Sequence, residues 1–187
     1  MLFRSRIDRA VPTIQALVER GAQVFLVGHM GRDGSESTKE VVMYLKMAHD
    51  IDAVYMDDLK NQKKMRRAVE LGTPGSVAVL ENIRAYPEES ANDPEFAKTL
   101  ASYADFYVNE AFSVSHRKHA SVVGVPEHIP GFVGLNHERE IQELSTLKDA
   151  LGSSLIIVGG AKFKTKLDLI RAALEKGASV MVGGALA

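Results

Sequence analysis

Apolar positions along the chain alternate between two rhythms, and glycines mark most of the changeovers. Stretches with a repeat near 3.6 predict amphipathic helices, and the short apolar runs between them predict buried strands. Ile7, Val11, Ile14 and Val18 share one helical face, which predicts a first helix closed by Gly21 as its C′ residue. Pro12 must lie in the first turn of that helix or kink it. The run from Gln23 to Val27 predicts a strand, the polar, glycine-rich stretch from His29 to Ser37 a loop, and Val41, Leu45 and Ala48 a second helix. A strand at residues 53–56, a basic helix ending near Leu71 ahead of Gly72, and a strand at 76–80 repeat the unit. Asn92-Asp-Pro94 marks a helix start, with Asp93 as N-cap and Pro94 at the first helical position, and it turns Phe96, Leu100 and Tyr103 inward. Residues 105–108 predict a strand, whereas 109–134 show no period and read as a long irregular loop of the kind that carries function. A helix around Ile141, Leu144, Leu147 and Leu151, a strand at 155–158, a loop at 159–166, a helix to Lys176 and a strand at 179–182 complete the pattern.

Strands separated by single helices imply an α/β fold, with a mostly parallel, doubly wound, Rossmann-like sheet covered by helices on both faces. In such sheets ligands bind beyond the carboxyl ends of the strands. Those positions are basic here: His29 and Arg32 after the first strand, Arg84 after the third, and His116, Arg117, Lys118 and His119 after the fourth. They are predicted to meet at one edge of one sheet. Planar guanidinium groups bind carboxylate and phosphate oxygens bidentately, so such a meeting point fits a small, doubly anionic ligand. For any single arginine, a solvated surface charge is the competing reading. The pair His116-x-x-His119 has a spacing seen in metal sites, but its loop placement and the lack of cysteine or a nearby acidic ligand point away from a metal. Gly159-Gly-Ala-Lys162, between an apolar run and a helix, has the anatomy of a phosphate-holding turn and equally that of a plain strand-to-helix connection. It lacks the spacing of a P-loop.

Composition narrows the function classes. The 187 residues are 45% apolar, enough for a real core. Charge nearly balances, 23 − 24 = −1, with a pI of about 6.6, which argues against nucleic acid as the main partner. Cysteine is absent, which removes disulfide scaffolds, thiolate metal sites and cysteine nucleophiles and is compatible with a reducing cytoplasm. No apolar run nears the roughly 20 residues of a membrane span, and the N-terminus has no signal-peptide apolar region. The expectation is a soluble, cytoplasmic protein without a membrane partner.

Several segments together resemble phosphoglycerate kinase. Gly28-His-Met-Gly-Arg32 is similar to that family's Ser-His-Leu-Gly-Arg, and Glu81-Asn-Ile-Arg84 to its Glu-Asn-Leu-Arg. Asn92-Asp-Pro-Glu-Phe-Ala-Lys98 and the segment Val108 to Ser121, with its Asn-Glu-Ala-Phe and His-Arg-Lys-His, follow in family order. Gly159-Gly-Ala-Lys162 matches its Gly-Gly-Ala-Lys, and Gly183-Gly-Ala-Leu-Ala187 is close to its Gly-Gly-Gly-Met-Ala. The resemblance implies a substrate domain over residues 1–152, including an interdomain helix, and the start of a nucleotide domain over 153–187. It implies that Arg6, His29, Arg32, Arg84, His116 and Arg117 bind 3-phosphoglycerate, with Arg6 also stabilising the transferring phosphoryl group. It places Gly160, Ala161, Lys162 and Lys166 at the nucleotide, Lys162 being the catalytic lysine near the transferred phosphate. The implied reaction is glycolytic phosphoryl transfer between Mg-ATP and 3-phosphoglycerate, giving 1,3-bisphosphoglycerate and ADP, in an enzyme that is monomeric when complete. Such chemistry needs positioning and charge neutralisation rather than a covalent nucleophile.

The chain departs from the family in several places. It starts after the family's first strand, whose Asp and Asn contact substrate, and it lacks most of the second domain with the acidic Mg²⁺-nucleotide site. Asp33 stands for a common Pro, Tyr86 for His, Lys164 and Thr165 for Ser-Asp, and Leu135-Asn-His137 for Leu-Met-Glu. A missing parallel strand is expected to expose apolar surface and leave backbone groups unpaired. The alternative function is a non-catalytic module that binds a phosphorylated acid or a partner chain through the same basic edge.

Overall fold

A computed structural model describes residues 2–160, 164 and 166–184. The chain divides into two compact units, Met1–Glu138 and Arg139–Ala187. In the first, helix α1 (Leu2–Val18) leads to strand β1 (Val24–Leu26), α2 (Lys39–His49), β2 (Ala53–Met56), α3 (Gln62–Leu71) and β3 (Val77–Leu80). A 3-10 turn (Ile83–Ala85), α4 (Pro87–Ala91), α5 (Pro94–Ala101), β4 (Tyr107–Asn109) and β5 (Gly131–Val133) follow. Helix α6 (Leu135–Asp149), the helix read from the sequence as a connector, begins in this unit and carries the chain into the next.

Strand β3 is the centre of the first unit. The order is β1-β3-β2, all parallel, with Val77 in register with both Val24 and Ala53. Because successive side chains of a strand point to opposite faces, Val77 and Val79 join Val11 and Ile14 of α1 and Leu45 of α2. Leu80, with Ala78 packed beside it, turns the other way onto Met65 of α3 and Phe96 and Leu100 of α5. Burial of side chains of this size is worth about 1.5–3 kcal/mol each. Both faces of the sheet are covered, as the doubly wound reading requires.

Local signals set the helix ends. The Asp93 carboxylate accepts from the Phe96 amide at 2.8 Å with Pro94 at the first helical position, and Asn61 caps α3 through the Lys64 amide at 3.0 Å. Gly21, past the end of α1, takes φ +80°, the left-handed conformation in which glycine carries no Cβ penalty. Pro12 falls inside α1 rather than in its first turn, on the exposed side, leaving the helix one internal hydrogen bond short.

Three expectations are corrected. The strands of the first unit do not form one sheet: β4 pairs in parallel with β5, Tyr107 opposite Gly131, in a separate two-stranded sheet. Among the described residues β1 and β4 each have a strand partner on one side only. Val27 after β1 and Phe106 before β4 are exposed. Residues 109–134 are not simply irregular. They hold a 3-10 turn (Phe112–Val114), a π-helical turn (Ala120–Gly124), a second 3-10 turn (Val125–Glu127) and β5. These pieces are too short to show a period, and the prolines and glycines among them read as breakers. Ala120 and Val125 nonetheless bury against the α5 side of the core. Strand β4 begins at Tyr107 rather than Asp105, and Asp105 and Phe106 are exposed.

In the second unit β6 (Leu155–Val158) and β7 (Ser179–Val182) pair in parallel through α7 (Leu167–Glu175), with Leu155 opposite Ser179. Val158, Ala173 and Ala178 are buried, while Leu155, Ile157 and Met181 are exposed.

Met65 is completely buried in the α3–α5 side of the core. Met65→Ala is expected to lower the unfolding free energy by about 2–5 kcal/mol, the range for truncating a buried side chain that leaves a cavity. Urea denaturation of the two proteins measures it.

Candidate functional site

The residues after β3 organise the carboxyl edge of the three-stranded sheet. Glu81 follows directly, and its amide extends the ladder by donating to Met56 O at 2.8 Å. Its carboxylate receives the Asn82 amide at 2.6 Å, the Thr38 amide at 3.0 Å, the Ser37 hydroxyl at 2.9 Å and the Tyr55 hydroxyl. Burial by itself would raise the Glu81 carboxyl, but these donors outweigh it and bring it down to about 2. Thr38, buried at the foot of α2, also donates from its hydroxyl to Leu80 O at 2.6 Å. The start of α2 is therefore tied to the end of β3.

Asn82 is fully buried. Its side-chain amide donates to Met30 O at 2.7 Å and Glu36 O at 2.6 Å, and its oxygen accepts from the Arg84 amide at 3.1 Å. Arg84 Nη1 donates to Gly31 O at 3.1 Å, and the Ile83 amide to Gly28 O at 3.1 Å. Gly34 sits at φ +82°, and a Cβ there would run into the Arg84 carbonyl. The loop after β1 and the turn after β3 are thus in direct backbone contact.

The basic residues gather around this joint. His29 is half-buried, and its imidazole is held down at about 4, by burial first and then by Arg84, Arg6, Arg117 and His119. Burial and the guanidinium groups of Arg117 and Arg6 also lower Arg84, while Glu89 opposes them. Arg6 of α1, His29 after β1, Arg84 after β3 and Arg117 after β4 therefore share one electropositive basin, although β4 belongs to a different sheet. Arg32 and His116 lie exposed on the same two loops.

The loop after β4 has its own anchor, which sequence reasoning missed. Glu89 of α4 is 3% exposed, and its carboxylate accepts from the Ser121 amide at 2.9 Å and hydroxyl at 2.6 Å, with His119 Nδ1 at 3.6 Å. An acidic residue in the first turn of a short helix looks like ordinary surface in sequence, so no local signal marked Glu89. A second basic surface, Lys63, Arg66 and Arg67 on the outer side of α3, lines an open concavity and belongs to a single helix. Among the described residues no other element lines it.

In the second unit Gly160, two residues beyond β6, takes φ +127°, and Lys166 stands immediately before α7. Ala161 and Lys162 lie outside the described residues. Among the described residues no group of three or more His, Asp or Glu could hold a metal ion. The Mg²⁺ of the implied nucleotide therefore has no protein ligand set among them. No described helix is long and apolar enough to cross a membrane.

This geometry has relatives. A sequence model of the family described as phosphoglycerate kinase matches residues 2–187. The chain belongs to the phosphoglycerate kinase family. It is 39% identical over 188 residues to the phosphoglycerate kinase of Wolbachia pipientis wMel, covering 98% of this chain and 47% of that protein. Against the enzyme of Brucella suis the identity is 40% over 193 residues, with 98% and 48% covered. The crystal structure of phosphoglycerate kinase from Pyrococcus horikoshii OT3 superposes with a TM-score of 0.83 at 29% identity, over 97% of this chain and 48% of that one. For the phosphoglycerate kinase structure from Coxiella burnetii the TM-score is 0.78 at 29% identity, over 96% and 46%. The chain spans about half the length of the phosphoglycerate kinases it matches.

The two shifted groups predict an acid response in two stages. His29 titrates at about 4 folded against an ordinary 6.5, so between those values the unfolded chain holds more protons and stability falls as pH falls. Glu81, at about 2 against 4.5, stabilises the fold above 4.5, and that contribution is lost as pH drops towards 2. The melting temperature is expected to decline in both windows. In His29→Gln the decline between pH 6.5 and 4 shrinks and the one below 4.5 persists. Thermal melts across pH measure both.

Proposed function

We propose that this chain forms the 3-phosphoglycerate half of a phosphoglycerate kinase, which in its complete form transfers a phosphoryl group reversibly between Mg-ATP and 3-phosphoglycerate. The supporting observation is the convergence of Arg6, His29, Arg84 and Arg117 from separate elements onto one basin. Like charges held together in a partly desolvated site repel one another, and an anion of two or more charges offsets that repulsion. 3-Phosphoglycerate brings a phosphate and a carboxylate on a three-carbon frame, which Arg84, Arg117 and Arg32 can each take through forked N–H pairs.

In the transfer, a carboxylate oxygen attacks the terminal phosphorus of ATP, a C–O–P linkage forms, and the bond to the β-phosphate oxygen breaks to release ADP. The family's own pattern assigns the second unit's Gly160, Ala161, Lys162 and Lys166 to the nucleotide phosphates and Lys162 to the transferred group. Mg²⁺ on the nucleotide supplies further charge neutralisation. On the acid side the residues of this chain bind and orient the acceptor, and Arg6 offers positive charge to the phosphoryl group as it moves.

Calorimetric titration with 3-phosphoglycerate at low salt tests the reading. Arg84→Ala is expected to weaken binding by about 1–3 kcal/mol, the scale of a charge-assisted hydrogen bond, while Lys63→Ala on α3 leaves it unchanged. Equal affinity of Arg84→Ala and the parent would remove the basin as the substrate site. Binding without turnover when a complementary nucleotide domain is supplied would favour a non-catalytic phosphoacid-binding module.

A further inference from the structure

The loop from His29 to Ser37 carries two of the proposed substrate groups, yet it has no regular secondary structure of its own. Its order has to come from elsewhere. Both of its ends are held by one side chain that points away from solvent: Asn82 Nδ2 donates to Met30 O at one end and to Glu36 O at the other. The partners fix which way the amide faces, since two carbonyls need donors and the Arg84 N–H needs an acceptor. Asn82 thus joins both ends of the loop to the backbone of Arg84, a third proposed substrate group. Glu81 supports this arrangement from the neighbouring position by accepting from the Asn82, Thr38 and Ser37 donors.

We propose that Asn82 is a positioning residue for anion binding, which sets His29 and Arg32 in register with Arg84 by clamping both ends of the loop. It is completely buried and acts on a ligand through the loop alone. Removing it leaves the carbonyls of Met30 and Glu36 without their donor. The loop then samples other conformations, and binding must restore the order that the clamp supplied beforehand. This inference rests on the 3-phosphoglycerate reading for its ligand but not for the clamp itself.

The test uses the 187-residue chain with Asn82→Ser, whose hydroxyl keeps a small polar group in the buried site, and Asn82→Ala beside it. Backbone order parameters are measured by NMR without ligand. They are expected to fall over residues 30–36, from about 0.85 to below about 0.6, while the strand residues of β3 stay unchanged. The Kd for 3-phosphoglycerate should rise by roughly ten- to a hundredfold, equivalent to about 1.4–2.8 kcal/mol of lost preorganisation. Because Asn82 acts through the loop, adding Asn82→Ser to Arg32→Ala should cost much less than it does alone, a non-additivity that a general loss of stability would not produce. A loop as ordered as in the parent, or losses that multiply in the double variant, would overturn the proposal. If the parent fails to bind 3-phosphoglycerate, the ligand reading falls and the order parameters still decide the clamp. Should Asn82→Ala lose its cooperative melt, Asn82→Ser carries both readouts.

Discussion

The loops after β1 and β3 depend on a network of hydrogen bonds from the two residues that end β3's ladder, Glu81 and Asn82. A parallel sheet brings the carboxyl ends of its strands to one side, but it says nothing about the conformation of the loops that follow. Here Glu81 and Asn82 supply that conformation. One takes four donors from three directions, and the other satisfies its amide entirely on loop backbone. A buried amide or carboxylate with unmet partners costs on the order of 1–3 kcal/mol or more, so a network like this one strongly favours a single arrangement. Glu89 plays the same part for the loop after β4, through Ser121.

That rigidity has an electrostatic consequence. Cations on flexible loops would move apart, whereas these are held in place, so that burial first, and then the neighbouring cations, bring His29 to about 4 and lower Arg84. At neutral pH His29 is uncharged in the free chain, and an incoming anion favours its protonated form. The opposition of cations is thus stored in the fold before any ligand arrives. The outer side of α3 has three basic residues on one helix but no such convergence, and Lys64 and Lys60 nearby are spent on Asp57 and Glu88.

Much of this was legible in the chain because local chemistry dictated it. Asp93 and Pro94 announced α5, and apolar spacing announced β3, whose alternate residues reach opposite cores. The basic loop residues could be placed at strand ends without a structure, since parallel topology fixes which end a loop occupies. What stayed hidden depends on partners distant in sequence. Nothing near Asn82 reveals that its amide spans Met30 and Glu36, and nothing near Glu89 reveals Ser121. Strand β5 is three residues between glycines and prolines, too short for alternation to register. The split of the first unit's strands into two sheets is a property of pairing, which no local pattern encodes. It leaves the first unit with two parallel ladders and still one basin, because α1, through Thr13 bonded to the Leu135 amide at 2.9 Å, links the two parts.

The most direct test of the account is an NMR titration of the chain with 3-phosphoglycerate that follows every assigned amide and the histidine imidazoles. The account predicts that resonances of residues 29–32, 84 and 117–119 move together with one dissociation constant, that the His29 imidazole shifts towards its protonated form, and that Lys63, Arg66 and Arg67 stay still. Shifts centred on the α3 face, or separate dissociation constants for the loops after β1, β3 and β4, would contradict it.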